Sequence, residues 1–428
     1  MQYDTKFWAD DIFKHEISTE LQQTCFHEDA IHRFSLSYGY IDLLCKGFKQ
    51  CILENVAKPK PHKYVLVCLS GAIGNRESRH PPFFSGVNIQ HRLSMPLISI
   101  SDPTLAMNDD ILLSWYAGSE FIKNLPQSIA HIIRKICLSF GLQPIIFGGS
   151  GGGWASLAIA TYLDIKAKYF VWNPQTNFTE YMPKVVSKYI ETAFPAKKNT
   201  VKNSQVVNSS LFKGILDSEK VLYDLNEVKF EKNAQIFYIQ NVDDWHLERM
   251  LVPFMSNKKW HRLGKSSFVD DSGIVVHIGH WGERHAGPPK EMTLEILKLL
   301  SNDTNGNPSY AALHLEANYF RLSRYDQPLI SASSIDKLQY KANIIDKDSS
   351  YLVTVNHPTL YLECDLKFAF YVVINGVKLV ERRYSSDNSL EFEKKFAESD
   401  TVLIRCFIKE MLSIQSFTIK IQEGLVHE

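Results

Sequence analysis

The chain has 428 residues, enough for two or three domains of about 150 residues and for a sizeable buried core. Apolar residues make up 45% and charged residues 22%, which excludes an intrinsically disordered or collagen-like chain. Lys plus Arg number 47 and Asp plus Glu 47, so no net field draws the protein onto nucleic acid or an anionic membrane.

The amino terminus carries Asp4, Asp10 and Asp11 where a secretory signal needs a basic start and an apolar run, and no stretch is apolar for the roughly 18 residues of a membrane span. Seven scattered cysteines, an odd number with no C-x-x-C, fit reduced thiols rather than a disulfide framework or a zinc knuckle. A cytoplasmic protein without a transmembrane segment is expected.

Residues 1–62 form an N-terminal segment with a strand pair around Phe34 to Phe48, whose strands could join the sheet of the next domain; it ends in the turn-rich 58–62. Short continuous apolar runs at 64–69 and 96–100 read as strands buried on both faces. Apolar residues at three- and four-residue spacing predict a helix over 129–140. A strand at 143–147, a Gly-rich turn, a helix over 154–163 and a strand at 169–172 follow, then strands at 234–239 and 273–278 and a helix over 289–300. This alternation predicts a mostly parallel sheet covered by helices, an α/β catalytic domain over 63–301. The polar stretch 301–309 suits a linker. Beyond it, 310–428 is expected to be an all-β, sandwich-like domain, with strands at 351–355, 359–363, 367–374, 377–383, 389–396, 401–408 and 415–421 and an Asn375-Gly376 hairpin turn.

Gly148-Gly149-Ser150-Gly151-Gly152 satisfies G-x-S-x-G between a predicted strand and helix. A nucleophile on a tight strand-to-helix turn needs neighbours without Cβ atoms, and the helix amino terminus behind it favours developing negative charge. Ser150 is the candidate nucleophile, and the NH of Gly151 is a candidate oxyanion donor. A phosphate-binding loop would need Gly-Lys-Ser/Thr, and a dinucleotide fingerprint would need a third Gly where Trp154 or Ser156 stands. The second oxyanion donor is expected in the loop after the 64–69 strand, at Ala72.

The acid and the histidine should follow the serine in that order, each after a later strand. Asp243 and Asp244 follow the 234–239 strand, and Asp244 is preferred because Asn241-x-x-Asp244 resembles the G-x-x-D turn usual there. After the last strand of the α/β part come His280 and His285; either imidazole could serve as base, with His285 preferred and His280 left to brace the pocket. His277, His280 and His285 together match no metal-binding spacing. Trp115, Tyr116, Trp172 and Trp245 fall on strand-end loops where a sugar could stack.

These residues resemble the α/β-hydrolase superfamily over about 64–300. Within it, 100–104, Trp115-Tyr-Ala-Gly118, 147–153, Trp172-Asn-Pro-Gln-Thr176, 240–246 and 285–289 look like the serine-dependent acyltransferase-like proteins encoded with bacterial surface-glycan and accessory-secretion systems. Members of that group are similar to capsule O-acetyltransferases. The resemblance implies a Ser-Asp-His enzyme that moves an acetyl group from acetyl-CoA to a glycan or polysaccharide hydroxyl, with no bound cofactor. Gly151 and Gly153 depart from the common elbow, where Ala and a bulky residue often stand. A glycan esterase or deacetylase, and a catalytically silent glycan-binding or assembly component, are the alternatives; the sequence is compatible with a homo-oligomer.

Overall fold

The computed structural model describes residues 3–4, 30–36, 39–48, 63–256, 258–264, 266–304, 306–319, 341–356, 366–385, 387–397, 399–410, 413–420 and 424–425. The strands β1 (Tyr3–Asp4), β2 (Ala30–Leu36), β3 (Gly39–Lys46), β4 (Tyr64–Leu69), β5 (Leu97–Ile100), β6 (Gln143–Gly149), β7 (Ala167–Trp172), β8 (Ala234–Asn241), β9 (Trp260–Arg262), β10 (Ser267–Asp270) and β11 (Val275–Gly279) build one sheet. Their order is β1-β2-β3-β5-β4-β6-β7-β8-β11-β10-β9. From β5 through β4, β6, β7 and β8 to β11 every pair is parallel. The hairpin of β2 and β3 joins one side with β3 antiparallel to β5; on the other side β10 lies antiparallel to β11, and β9 antiparallel to β10.

The pleat explains why β4 reads as one apolar run. Val65, Val67 and Leu69 face one core, while Tyr64, Leu66 and Cys68 face the other. β8 splits in the same way, with Ile236 and Tyr238 on the first face and Phe237 and Ile239 on the second. The helices α1 (Val87–Leu93), α2 (Leu125–Phe140), α3 (Gly151–Ile159), α4 (Pro183–Ala193), α5 (Ser209–Ser218), α6 (Lys290–Leu300) and α7 (Pro308–Asn318) cover both faces. α2, α3 and α4 pack on the first core, and α1, α6 and α7 on the second.

Three boundaries differ from the sequence reading. α2 begins at Leu125 rather than 129, because Pro126 fits a first turn that needs no amide donor. α3 begins directly after Ser150, since the glycines that look like a turn fit where the chain presses on its neighbours; a Cβ on Gly152 would lie 2.9 Å from the Ser70 carbonyl carbon. The polar stretch expected as a linker runs instead into α7, capped by the Asn307 side chain, which accepts from Tyr310 N at 2.8 Å. Ala311, Ala312 and Leu315 of α7 are buried against the sheet, so the α/β packing continues past 301 to the end of this helix.

Farther along, β12 (Lys341–Asp346), β13 (Ser350–Asn356) and β16 (Ser389–Glu393) form a three-stranded antiparallel sheet. β14 (Leu366–Ile374), β15 (Val377–Ser385), β17 (Val402–Glu410), β18 (Ser413–Lys420) and β19 (Gly424–Leu425) form a five-stranded one. Asn375 and Gly376 join β14 to β15 with φ of 50° and 84°, the left-handed pair a two-residue hairpin needs. Alternate residues of both sheets are buried, Val353, Val355, Leu390 and Phe392 in one and Phe370, Val372, Ile404 and Cys406 in the other. The strand expected at 359–363 lies outside the described residues.

The architecture is therefore a mostly parallel α/β sheet with helices on both faces, followed by antiparallel β sheets. Among the described residues no helix is long and apolar enough to cross a membrane.

Candidate active site

Ser150 stands between β6 and α3 at φ 55° and ψ −120°, a conformation that costs a residue with a Cβ on the order of 1–3 kcal/mol. Neighbouring backbone holds it there: Ser150 N donates to Trp172 O at 3.0 Å, and Trp154 N donates to Ser150 O at 3.1 Å. The glycines around it are each pressed by a specific neighbour. A Cβ on Gly148 would lie 2.7 Å from the Gly152 carbonyl carbon, and one on Gly153 would lie 2.8 Å from Pro174 Cβ. Gly151 faces Leu113 in the same way, so Leu113 and Pro174 explain the two glycines that depart from the common elbow. Gly71 lies alongside, where a Cβ would come 3.8 Å from Ser150 Cβ. This places the exposed Ala72, one residue on, in the loop beside the serine at the carboxyl end of β4.

Asp244 follows β8 in a turn closed by its own amide onto Asn241 O at 3.2 Å. The carboxylate is buried; Oδ1 accepts from His246 N at 3.0 Å, and Oδ2 lies 2.5 Å from Nδ1 of His285. The neighbouring Asp243 has a different job, accepting from Arg284 N at 2.9 Å. His285 is exposed and rides on a loop tied down from three sides. Asn241 Nδ2 donates to the carbonyls of Gly282 and Arg284 at 2.8 and 2.7 Å, and Asn173 Nδ2 and Trp281 Nε1 both donate to Ala286 O. His280 is half-buried and is not the partner of Asp244.

A second imidazole stands behind the first. His246 is fully buried, meets the His285 ring edge-on at 4.3 Å, and holds Nδ1 3.2 Å from Asn173 O. Burial pushes its pKa down to about 4, so it is neutral near pH 7. Asp244, His246 and His285 bring one ligand atom each within 4.8 Å of one another, the one such group among the described residues. The 2.5 Å approach of Asp244 to His285 is a hydrogen bond; two ligands at about 2 Å from one zinc ion in tetrahedral geometry sit well over 3 Å apart. The donor set as it stands does not fit a metal. His277, grouped in sequence with His280 and His285, is buried elsewhere with Nδ1 2.9 Å from Ser267 Oγ.

Two expected sugar platforms prove to be core. Trp115 is fully buried, stacked on Phe178 with ring centroids 4.5 Å apart. Tyr116 is buried too, its hydroxyl donating to Ile100 O at 2.8 Å and accepting from Ser70 N at 2.9 Å. Strand-end position does not make a ring a platform, because aromatic composition does not say which way a ring points. Trp172 is half-buried between the serine turn and the His285 loop, while Trp245 is exposed and stacks on Tyr181 at 5.6 Å. Gln175 and His246 are site residues that sequence spacing does not single out; Trp172-Asn-Pro-Gln-Thr176 and the tail of 240–246 are the signals that contain them.

No family model matches the sequence, and no curated protein matches it. Among solved structures, the chain is similar to a capsule O-acetyltransferase of Neisseria meningitidis serogroup A at 13% identity, covering 68% of this chain and 92% of that one with a TM-score of 0.34. It is also similar to the fluorophosphonate-binding serine hydrolase FphF of Staphylococcus aureus, at 11% identity over 63% and 97% of the two chains with a TM-score of 0.35. A monoacylglycerol lipase of Paleococcus ferrophilus aligns at 12% identity over 56% and 93%, with a TM-score of 0.29.

Proposed function

We propose that this protein is a serine-dependent acyltransferase, with Ser150 as nucleophile, His285 as base and Asp244 as the carboxylate that orients it. The observation that carries the reading is the 2.5 Å pairing of buried Asp244 with His285 at the carboxyl end of the sheet where Ser150 is held at positive φ. A serine gains nothing structural from that backbone strain, and a carboxylate on Nδ1 leaves Nε2 as the basic nitrogen.

In this reading Nε2 of His285 takes the Ser150 proton as Oγ bonds to the carbonyl carbon of an ester or thioester. The carbonyl oxygen takes up the electron pair and is met by the amides of Gly151 and Ala72. Collapse breaks the bond to the leaving sulfur or oxygen, which receives the proton from His285. An acceptor hydroxyl, deprotonated by the same imidazole, then attacks the acyl carbon; the acyl–Oγ bond breaks and His285 returns the proton to Ser150 Oγ. Acetyl-CoA as donor and a glycan hydroxyl as acceptor follow from the sequence resemblance, and the antiparallel sheets after residue 340 are the part available to hold a large acceptor.

The test has two arms. A fluorophosphonate probe should label the wild-type protein and not Ser150→Ala. Acetyl-CoA turnover should rise on adding candidate glycans and leave acetylated glycan; turnover unaffected by any acceptor would make water the acceptor and the protein an esterase. Absence of labelling in folded wild-type protein would point to a silent binding component instead.

A further inference from the structure

Three stretches that carry the sequence resemblance, around Asp102, Trp115 and Gln175, are linked in a series of contacts that ends on Ser150 Oγ. The Gln175 side chain is fully buried, and its Nε2 donates to Ser150 Oγ at 3.0 Å. Its Oε1 accepts from the indole Nε1 of Trp115. An indole N–H can only donate, so the oxygen of the amide must face Trp115 and the nitrogen must face the serine. Trp115 is in turn fixed by its stack on Phe178 and by edge contacts with Tyr181 and Tyr189 at 6.0 and 5.7 Å.

The turn that aims Trp115 has its own anchor. Trp115 and Tyr116 are both left-handed, at φ 54° and 55°. Buried Asp102 holds this turn, accepting from Tyr116 N at 2.6 Å and Ser114 Oγ at 2.7 Å. Two consecutive non-glycine residues at positive φ cost energy that hydrogen bonds to one carboxylate offset. The product is an amide whose direction cannot change without breaking a buried bond.

We propose that Gln175 is a catalytic residue of this site, its Nε2–H stabilising negative charge on Ser150 Oγ, and that Trp115 is the positioning residue that fixes the amide. The inference rests on reading Ser150 as the nucleophile. The amide occupies one lone pair of Oγ and leaves the hydroxyl proton for His285. A donor at that lone pair favours the charged form of the oxygen, both when the proton leaves and when Oγ departs from the acyl-enzyme.

The experiment measures the rate of fluorophosphonate labelling of the full-length protein between about pH 5 and pH 8, across the range where an imidazole titrates. Rates are taken per competent site, counted from end-point labelling, so unfolded protein does not enter. Gln175→Leu should slow labelling roughly ten- to a hundredfold, the range of one hydrogen bond to a developing charge. Trp115→Phe keeps the stack, frees the amide to turn over, and should slow it severalfold. In Gln175→Glu an ionised carboxylate can only accept at Ser150 and draws the serine proton away from His285, whereas the protonated acid can donate. Its rate relative to wild type should therefore rise as pH falls. Tyr181, the other titratable group facing this amide, is held above its ordinary value by burial and stays neutral throughout.

Wild-type rate in Gln175→Leu, or a pH-independent ratio for Gln175→Glu, overturns the proposal, and wild-type rate in Trp115→Phe removes the positioning role. If Gln175→Leu does not fold, the Gln175→Glu ratio decides. Ser150→Ala separates the two levels: labelling that survives it sinks the nucleophile reading, whereas a silent Ser150→Ala beside a fast Gln175→Leu sinks this inference alone.

Discussion

The indole of Trp172 is wedged between Gly149 of the serine turn and Gly287 of the His285 loop. A Cβ on Gly287 would lie 3.2 Å from its Nε1, and one on Gly149 would fall inside its van der Waals surface. One ring thus spaces the nucleophile turn from the loop that carries the base.

Gly149→Ala should be damaging, because the new Cβ would overlap the Trp172 indole and force aside the ring that spaces the two loops. A loss of about 1–3 kcal/mol in urea unfolding, together with loss of probe labelling, is expected. Gly214→Ala, inside α5 with open space around its Cβ position, should instead stabilise by about 0.5–1 kcal/mol.

The two adjacent acids should separate sharply. Asp244→Asn removes the carboxylate 2.5 Å from His285 Nδ1 and should slow labelling roughly a thousandfold or more. Asp243→Asn keeps an acceptor for the Arg284 amide, and should cost less than about tenfold. The opposite ranking would move the acid to Asp243. His285→Ala should likewise exceed His280→Ala.

Stability should fall on mild acidification. Burial holds His246 and His277 at about 4, against an ordinary value near 6.5. The unfolded chain therefore takes up their protons first as pH drops, and stability is lost from about pH 6.5 down to about pH 4, by up to roughly 3 kcal/mol for each group. Urea midpoints at pH 7 and pH 5 would show it, and His277→Gln should flatten the dependence; an equally steep loss in that variant would assign it to other groups.

Where the chain is cut should matter. A version ending after Tyr319 keeps α7 on the sheet and should take up the probe. One ending at Ser301 strips Ala311, Ala312 and Leu315 from the second core and should aggregate. Soluble, labelled protein from the shorter version would show that α7 is dispensable.

The parallel strands were legible because burial on both faces leaves an uninterrupted apolar run, as at Val65 to Leu69, and G-x-S-x-G marks a turn that few other uses of glycine demand. Glycine's low helix propensity hid the first turn of α3, where close packing on Ser70 and Leu113 overrides it. α7 was obscured by small apolar residues behind a polar turn. Asp243 and Asp244 differ only in which way each carboxylate points, and a buried amide such as Gln175 has no periodicity at all. Those distinctions arise from tertiary contacts between segments far apart in the chain.

The order in which the sheet assembles has a kinetic consequence. β3 pairs with β5 across the intervening β4, and β4 pairs with β6 beyond β5 and α2, so the central strands meet only after long loops have closed. The strained φ of Ser150 is sustained by Trp172 O on β7, a strand later still. During refolding, helical circular dichroism should return before probe reactivity, because the serine acquires its geometry only when β6 and β7 have zipped together. Probe labelling thus serves as a clock for the closing of the central sheet.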